Sequence, residues 1–248
     1  MIELHHGDCL DIMPLIPDKS IDMILCDLPY GTTACKWDSV IPFEPLWKQY
    51  ERIIKDNGAI VLNGSQPFTS ALIISNIKNF KYCWVWEKTM ATGGIHAKNK
   101  PLKTHEDICV FSKGTTVHEG QSKNRMAYLP QMEVGKPYKK LRKSGSLKSL
   151  SQIAPRKSHI NFEKINKGER YPKSIIKISN PNNNSLHPTQ KPVALMEYLI
   201  KTYTNEGQTV LDNCMGSGTT GVACKMLGRK FIGIEKDEKY FQIAKNRI

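Results

Sequence analysis

Two short stretches of this 248-residue sequence carry side chains whose types and spacing can do chemistry. The first is Asp27-Leu28-Pro29-Tyr30-Gly31, directly after the apolar run Ile21–Cys26. A carboxylate there accepts a hydrogen bond from an amino group, the proline stiffens the turn, and the ring stacks on a flat base carrying the amine. Taken alone, Asp-x-Pro-Tyr-Gly is also an ordinary β-turn. The second stretch is Asp212-Asn213-Cys214-Met215-Gly216-Ser217-Gly218-Thr219-Thr220. Glycines at a strand-to-helix turn let the backbone approach a cofactor, and the helix that follows presents free N–H groups. A Gly-x-Gly pair is a weak signal by itself, and no lysine stands beside Gly218 as a phosphate-binding Walker loop needs. Glu235, at the end of Phe231-Ile-Gly-Ile, is placed to accept hydrogen bonds from ribose hydroxyls; its alternative is a solvated strand end beside Lys236.

The elements around these stretches must hold them. Apolar runs at Ile21–Cys26, Ala59–Leu62, Tyr82–Trp86, Ile108–Phe111, Thr209–Asp212 and Lys230–Ile234 predict buried strands. Between them, patterning and end signals predict helices over 43–56 (closed by Asn57-Gly58), 67–78, 192–205, 218–227 and 237–247. Strands alternating with helices predict a doubly wound, largely parallel α/β sheet, and both motifs fall at strand C-terminal ends, where such sheets bind ligands.

Together the two motifs resemble those of the beta-class DNA amino-methyltransferases, which use S-adenosylmethionine to methylate adenine N6 or cytosine N4. Gly7-Asp8-Cys9-Leu10 and His187-Pro188-Thr189-Gln190-Lys191-Pro192 recur where that family carries supporting motifs. The resemblance spans nearly the whole chain, although residues 113–186 match only in position and character. It implies a circularly permuted, Rossmann-like, mostly parallel seven-stranded sheet: a catalytic half over 1–112, a target-recognition insert over 113–186 and a cofactor-binding half over 187–248. It assigns catalysis to Asp27, Leu28, Pro29 and Tyr30, with Asp27 and the Leu28 carbonyl accepting the amine hydrogens and Tyr30 stacking on a flipped base. It assigns the cofactor pocket to Asp8, Thr189, Lys191, Asp212, Cys214, Gly216, Ser217, Gly218, Thr219 and Glu235, with Asp8 contacting the cofactor adenine. An aspartate at position 27 goes mainly with adenine, and serine there with cytosine. Leu28 replaces the usual proline but keeps its carbonyl. Asn213-Cys214 replaces the common Pro-Phe, so weaker cofactor affinity is expected. No Pro-Cys dipeptide is present for carbon-5 cytosine chemistry. Cytosine N4, or RNA or single-stranded DNA, would suit the same site, and the substitutions at 28, 213 and 214 would also fit a non-catalytic DNA-binding homologue. Restriction–modification, an orphan regulator and a phage enzyme are equally compatible roles.

Charge points to the partner. The chain carries a formal +13, and residues 113–186 hold 16 Lys or Arg against 4 Glu, leaving only +1 for the rest. A basic segment of this kind is either a solvated loop or a phosphate-facing lobe. The candidate DNA contacts are Lys139, Lys140, Arg142, Lys143, Arg156 and Lys157. No apolar run approaches the ~20 residues a membrane helix needs, so double-stranded DNA, bound by a monomer or homodimer, is the expected partner. The start of the chain shows no basic-then-apolar leader pattern. Seven cysteines without Cys-x-x-Cys pairs, and histidines without metal spacing, predict reduced thiols, a cytoplasmic setting and no metal site. Trp86 and Lys88 are candidates for the border of a base pocket, and Thr92-Gly93-Gly94 for a loop near it.

Overall fold

A computed structural model describes residues 1–32, 38–117, 122–142, 162–180 and 190–248. They form two compact units, Met1–Leu129 with Ser174–Ile248, and Pro130–Lys173. The large unit is built from β1 (Ile2–His6), α1 (Cys9–Ile12), β2 (Ile21–Cys26), α2 (Phe43–Ile53), β3 (Ile54–Gly64), α3 (Phe68–Ser75), β4 (Phe80–Thr92) and β5 (Lys103–Phe111). The small unit contributes β6 (Glu133–Val134), β7 (Tyr138–Arg142), β8 (Phe162–Asn166) and β9 (Glu169–Arg170). The large unit then continues through β10 (Ile175–Lys177), α4 (Val193–Tyr203), β11 (Thr209–Asp212), α5 (Thr219–Met226), β12 (Lys230–Glu235) and α6 (Glu238–Arg247).

One sheet orders these strands β1-β12-β11-β2-β3-β5-β4-β10. Its pairings are parallel except β3–β5 and β5–β4. The sheet has eight strands where seven were expected; the eighth, β10, is three residues pairing with Val85–Glu87 at the end of the basic segment. Side chains alternate across the pleat. Met23 and Leu25 of β2 join the core under α4, α5 and α6, while Ile24 and Cys26 join the core with α1, α2 and α3. Fully burying a side chain such as Leu25 or Ile24 is worth roughly 1.5–3 kcal/mol.

Topology explains where a site must form. Strand β2 lies beside β11, with Ile24 paired to Leu211, although nearly the whole chain separates them. Their C-terminal ends meet where the connections leave to opposite faces, which opens the crevice that binds ligands in such sheets.

The predicted helix over 43–56 ends earlier, at Ile53. Ile54 already pairs with Ile21, and the register slips before Met23 meets Ala59. Gly58 is required inside this irregular stretch rather than as a helix cap, because a Cβ would lie 2.8 Å from the Asp22 carbonyl oxygen. The helices at 68–75, 193–203, 219–226 and 238–247 begin and end within a few residues of expectation. The six described cysteines are free thiols. Among the described residues, no helix is long and apolar enough to cross a membrane.

The small unit has two antiparallel pairs, β6 with β9 and β7 with β8. Arg170 ties it together, lying 4.8 Å over the Tyr138 ring and donating to Asn166 Oδ1 and the Lys136 carbonyl.

Candidate active site

Asp27 leaves β2 at its C-terminal end, and the chain turns at once through Leu28 and Pro29 to Tyr30. Leu28 is buried in the α1–α3 core, so it anchors the loop through its side chain. The Tyr30 hydroxyl donates to Asp27 Oδ1 at 2.6 Å, and its ring stacks on Phe68 at 5.0 Å between centroids. Burial, and then the Asp27 charge, push the Tyr30 phenol well above its ordinary range, so the hydroxyl stays protonated and donating. Asp38 holds the loop from the other side. Its carboxylate accepts the backbone N–H groups of Tyr30, Gly31 and Thr32 at 2.7–2.9 Å.

The second oxygen of Asp27 meets a lysine. Lys191 Nζ lies 2.6 Å from Asp27 Oδ2 and 3.2 Å from Glu106 Oε2, and Lys88 donates to the other oxygen of Glu106. Burial works against both charges, but each is outweighed. The Lys191 and Lys88 ammoniums hold Glu106 below the usual carboxylate range, and Asp27 with Glu106 hold Lys191 above the usual lysine range. The result is a row of alternating charges, Asp27–Lys191–Glu106–Lys88.

The glycine loop starts from Asp212 at the end of β11. This buried carboxyl accepts from the Thr220 hydroxyl at 2.6 Å and the Cys214 N–H at 3.2 Å, and burial pushes it up to about 7. Asn213 accepts from the buried Tyr50 hydroxyl, giving position 213 a structural partner. The hydrogen bond to Cys26, together with burial, pushes the Cys214 thiol far up, which removes it as a nucleophile. Gly216 donates to Glu235 Oε2 at 2.8 Å, and Asp237 N–H donates to Oε1 at 2.8 Å. Burial raises the Glu235 carboxyl. Asp8 caps α1 through the Leu10 N–H and pairs with Lys236 at 2.9 Å; these contacts lower it.

One cavity of about 840 Å³ joins the two motifs. Its wall includes all four of Asp27, Leu28, Pro29 and Tyr30, together with Asp8, Lys191, Asp212, Cys214, Gly216, Ser217, Thr219 and Glu235. Gly218 is not on that wall. It sits behind as the left-handed N-cap of α5, packed so closely that a Cβ would lie 2.7 Å from Ile248 Cδ1. Thr189 lies outside the described residues. Trp86, Lys88 and Thr92 also line the cavity. Lys139 and Lys140 are on β7 of the small unit, and the Lys139 ammonium lies 3.9 Å from the Glu163 carboxylate. Arg142 ends β7 in backbone terms, whereas Lys143, Arg156 and Lys157 lie outside the described residues.

A family model described as DNA methylase, N6_N4_Mtase, matches residues 21–246. The chain belongs to this DNA methylase family. Among related methylases, the type II methyltransferase M1.MboII of Moraxella bovis is 27% identical, covering 98% of this chain and 94% of its own length. M.HinfI of Haemophilus influenzae is 28% identical over 98% of this chain and 67% of its own. The crystal structure of an M1.HpyAVI–SAM complex shares 26% identity and superposes with a TM-score of 0.62, covering both chains completely. PvuII DNA methyltransferase, described as cytosine-N4-specific, is 16% identical and shows the same fold at a TM-score of 0.68 over 100% of this chain and 86% of its own. The methylase fold here is therefore the permuted Rossmann-like sheet of these relatives.

Sequence reasoning missed Asp38 and Glu106. Asp38 stands in an unremarkable Trp-Asp-Ser context, and Glu106 sits beside Asp107 in a strand, where a pair of acids reads as a solvated edge. Arg247 was also not legible as a site residue. Near the chain's last residue, it donates to the Ser217 carbonyl and hydroxyl and to Thr219 Oγ1 at 3.0–3.2 Å.

Proposed function

We propose that this chain transfers a methyl group from S-adenosylmethionine to N6 of adenine in DNA. The observation that carries the reading is that Asp27 and the Gly216–Ser217 loop open onto one continuous cavity. Its volume lies within the roughly 300–1,000 Å³ common for small-molecule sites. Its charge suits a cationic cofactor. Asp8, Asp27, Asp38, Glu106, Glu235 and Asp237 face Lys88, Lys191 and Lys236, an excess of acidic groups inside a strongly basic chain. A dinucleotide with its phosphates would meet repulsion here. Asp8, Glu235 and the Gly216–Thr219 loop would hold the cofactor, which when bound supplies a methyl group already activated on a sulfonium.

The chain's own residues then need only position and stabilise. Asp27 and the Leu28 carbonyl accept the two amine hydrogens, which turns the nitrogen lone pair away from the ring. Positive charge grows on that nitrogen, and the Asp27 carboxylate stabilises it. Tyr30 offers a ring already held edge-on by Asp27 and on one side by Phe68. The exocyclic amine lies inside the duplex stack, so the base must be flipped to reach this cavity.

The carboxylate at position 27 supports adenine over cytosine, following the correlation within the family. The small unit supports a DNA partner. Residues 130–173 hold 12 Lys or Arg against 3 Glu. A positive surplus of this size in one segment suits phosphate contacts. The test is to incubate the protein with labelled S-adenosylmethionine and unmethylated DNA, digest the DNA and identify the nucleoside by mass spectrometry. N6-methyladenine is expected. N4-methylcytosine would overturn the base assignment, and no methylated nucleoside would overturn the activity.

A further inference from the structure

We propose that Lys191 is a positioning residue for methyl transfer: braced by Glu106, it fixes the Asp27 carboxylate in the orientation that receives the amine. The inference rests on the reading of Asp27 as the amine acceptor. It departs from the cofactor-pocket role that resemblance assigns to position 191.

Geometry carries it. The Lys191 side chain is only 9% exposed, and its ammonium lies between two carboxylates at 2.6 and 3.2 Å. Tyr30 occupies the first oxygen of Asp27 and Lys191 the second, so the carboxylate plane is fixed. Each oxygen has a further lone-pair direction for the amine. A base entering the cavity strips water from Asp27, and a carboxylate stripped of water is costly unless a cation is paired with it. Lys191 supplies that cation at fixed distance.

Lys191 in turn needs a reason to stay charged while buried. Asp27, at the end of β2, and Glu106, on β5, provide it, with the Tyr30 ring 5.8 Å from its ammonium. Lys88 on β4 and Lys103 on β5 oppose it across Glu106. The balance favours the protonated form. Removing the Glu106 charge should therefore let Lys191 lose its proton at lower pH.

The experiment uses the full chain and four variants, Lys191→Met, Lys191→Arg, Glu106→Gln and Asp27→Ala. Titration calorimetry with S-adenosylmethionine gives cofactor affinity. Turnover at saturating cofactor on unmethylated genomic DNA, across pH, gives kcat. Lys191→Met is expected to lower kcat about 10²-fold, with cofactor Kd within about threefold of wild type. Lys191→Arg should regain part of the loss because it restores the charge. In Glu106→Gln the alkaline limb of the kcat profile should move to lower pH. Lost cofactor binding with normal kcat at saturation would make Lys191 a cofactor ligand, and an unchanged kcat would remove it from the reaction; either overturns the proposal. If Asp27→Ala itself stays active, the acceptor reading has failed; if it is inactive while Lys191→Met is normal, only the lysine inference has failed.

Discussion

Asp38 Oδ1 accepts the backbone N–H of Tyr30 at 2.7 Å, and the same carboxylate takes the next two amides as well. Three successive N–H groups converging on one acid fix a turn that Gly31 enters at φ +67°. The tyrosine ring and Asp27 are thereby held in one geometry before any ligand arrives. Asp38→Ala leaves those amides without their acceptor and frees the loop. Turnover should fall on the order of 10²-fold while cofactor affinity is kept, as steady-state kinetics and cofactor titration together would show.

The glycine loop has its own brace at the far end of the chain. Arg247 reaches back from α6 to the Ser217 carbonyl and the Ser217 and Thr219 hydroxyls. Arg247→Ala should weaken cofactor binding by about tenfold and leave kcat at saturating cofactor near wild type. Titration calorimetry separates this from a general loss of stability, which a thermal melt would reveal.

Asp212 makes stability depend on pH. Its folded pKa is raised from 3.8 to about 7 by burial, so the folded state holds the proton more tightly than the unfolded chain does. The stability linked to that proton is fully present below pH 3.8 and is lost as pH rises through about 7. Asp212→Asn keeps an acceptor for the Thr220 hydroxyl but cannot ionise. Its melting temperature should gain on wild type as the solution is taken from about pH 5 to about pH 8. A constant difference would mean that Asp212 does not titrate in that window.

The small unit predicts a salt response. If its lysines meet phosphates, DNA affinity falls steeply with ionic strength, and each phosphate contact contributes about 0.9 to the logarithmic slope. Lys139→Ala with Lys140→Ala should weaken binding to all sequences and make that slope shallower. Fluorescence anisotropy at several salt concentrations measures both; an unchanged slope would place these lysines away from the backbone.

Local signals made much of this molecule legible. The strand Ile21–Cys26 was readable because a strand buried on both faces is apolar at nearly every position, here all but Asp22, and Thr209–Asp212 because a glycine loop follows it. The helix end at Ile53 was not, because Asn57-Gly58 imitates a helix cap while long-range pairing of Ile54 with Ile21 decides the matter. The same contrast holds in the site. Asp27, Tyr30 and Glu235 sit in motifs whose local spacing betrays them. Glu106 and Asp38 acquire their roles only once β5 lies near β2 and Asp38 meets the Tyr30–Thr32 amides, and no pattern within either segment encodes that. Lys191 was found as a motif residue, but its partners, 164 and 85 positions away in sequence, could be named only from the fold.

The most direct test of the account is Asp27→Ala assayed twice on one preparation, for S-adenosylmethionine binding by calorimetry and for methyl transfer to unmethylated DNA. The account predicts cofactor affinity within about threefold of wild type and transfer reduced by roughly 10³-fold or more. Transfer near the wild-type rate, or cofactor binding lost along with it, would contradict the placement of Asp27 at the amine.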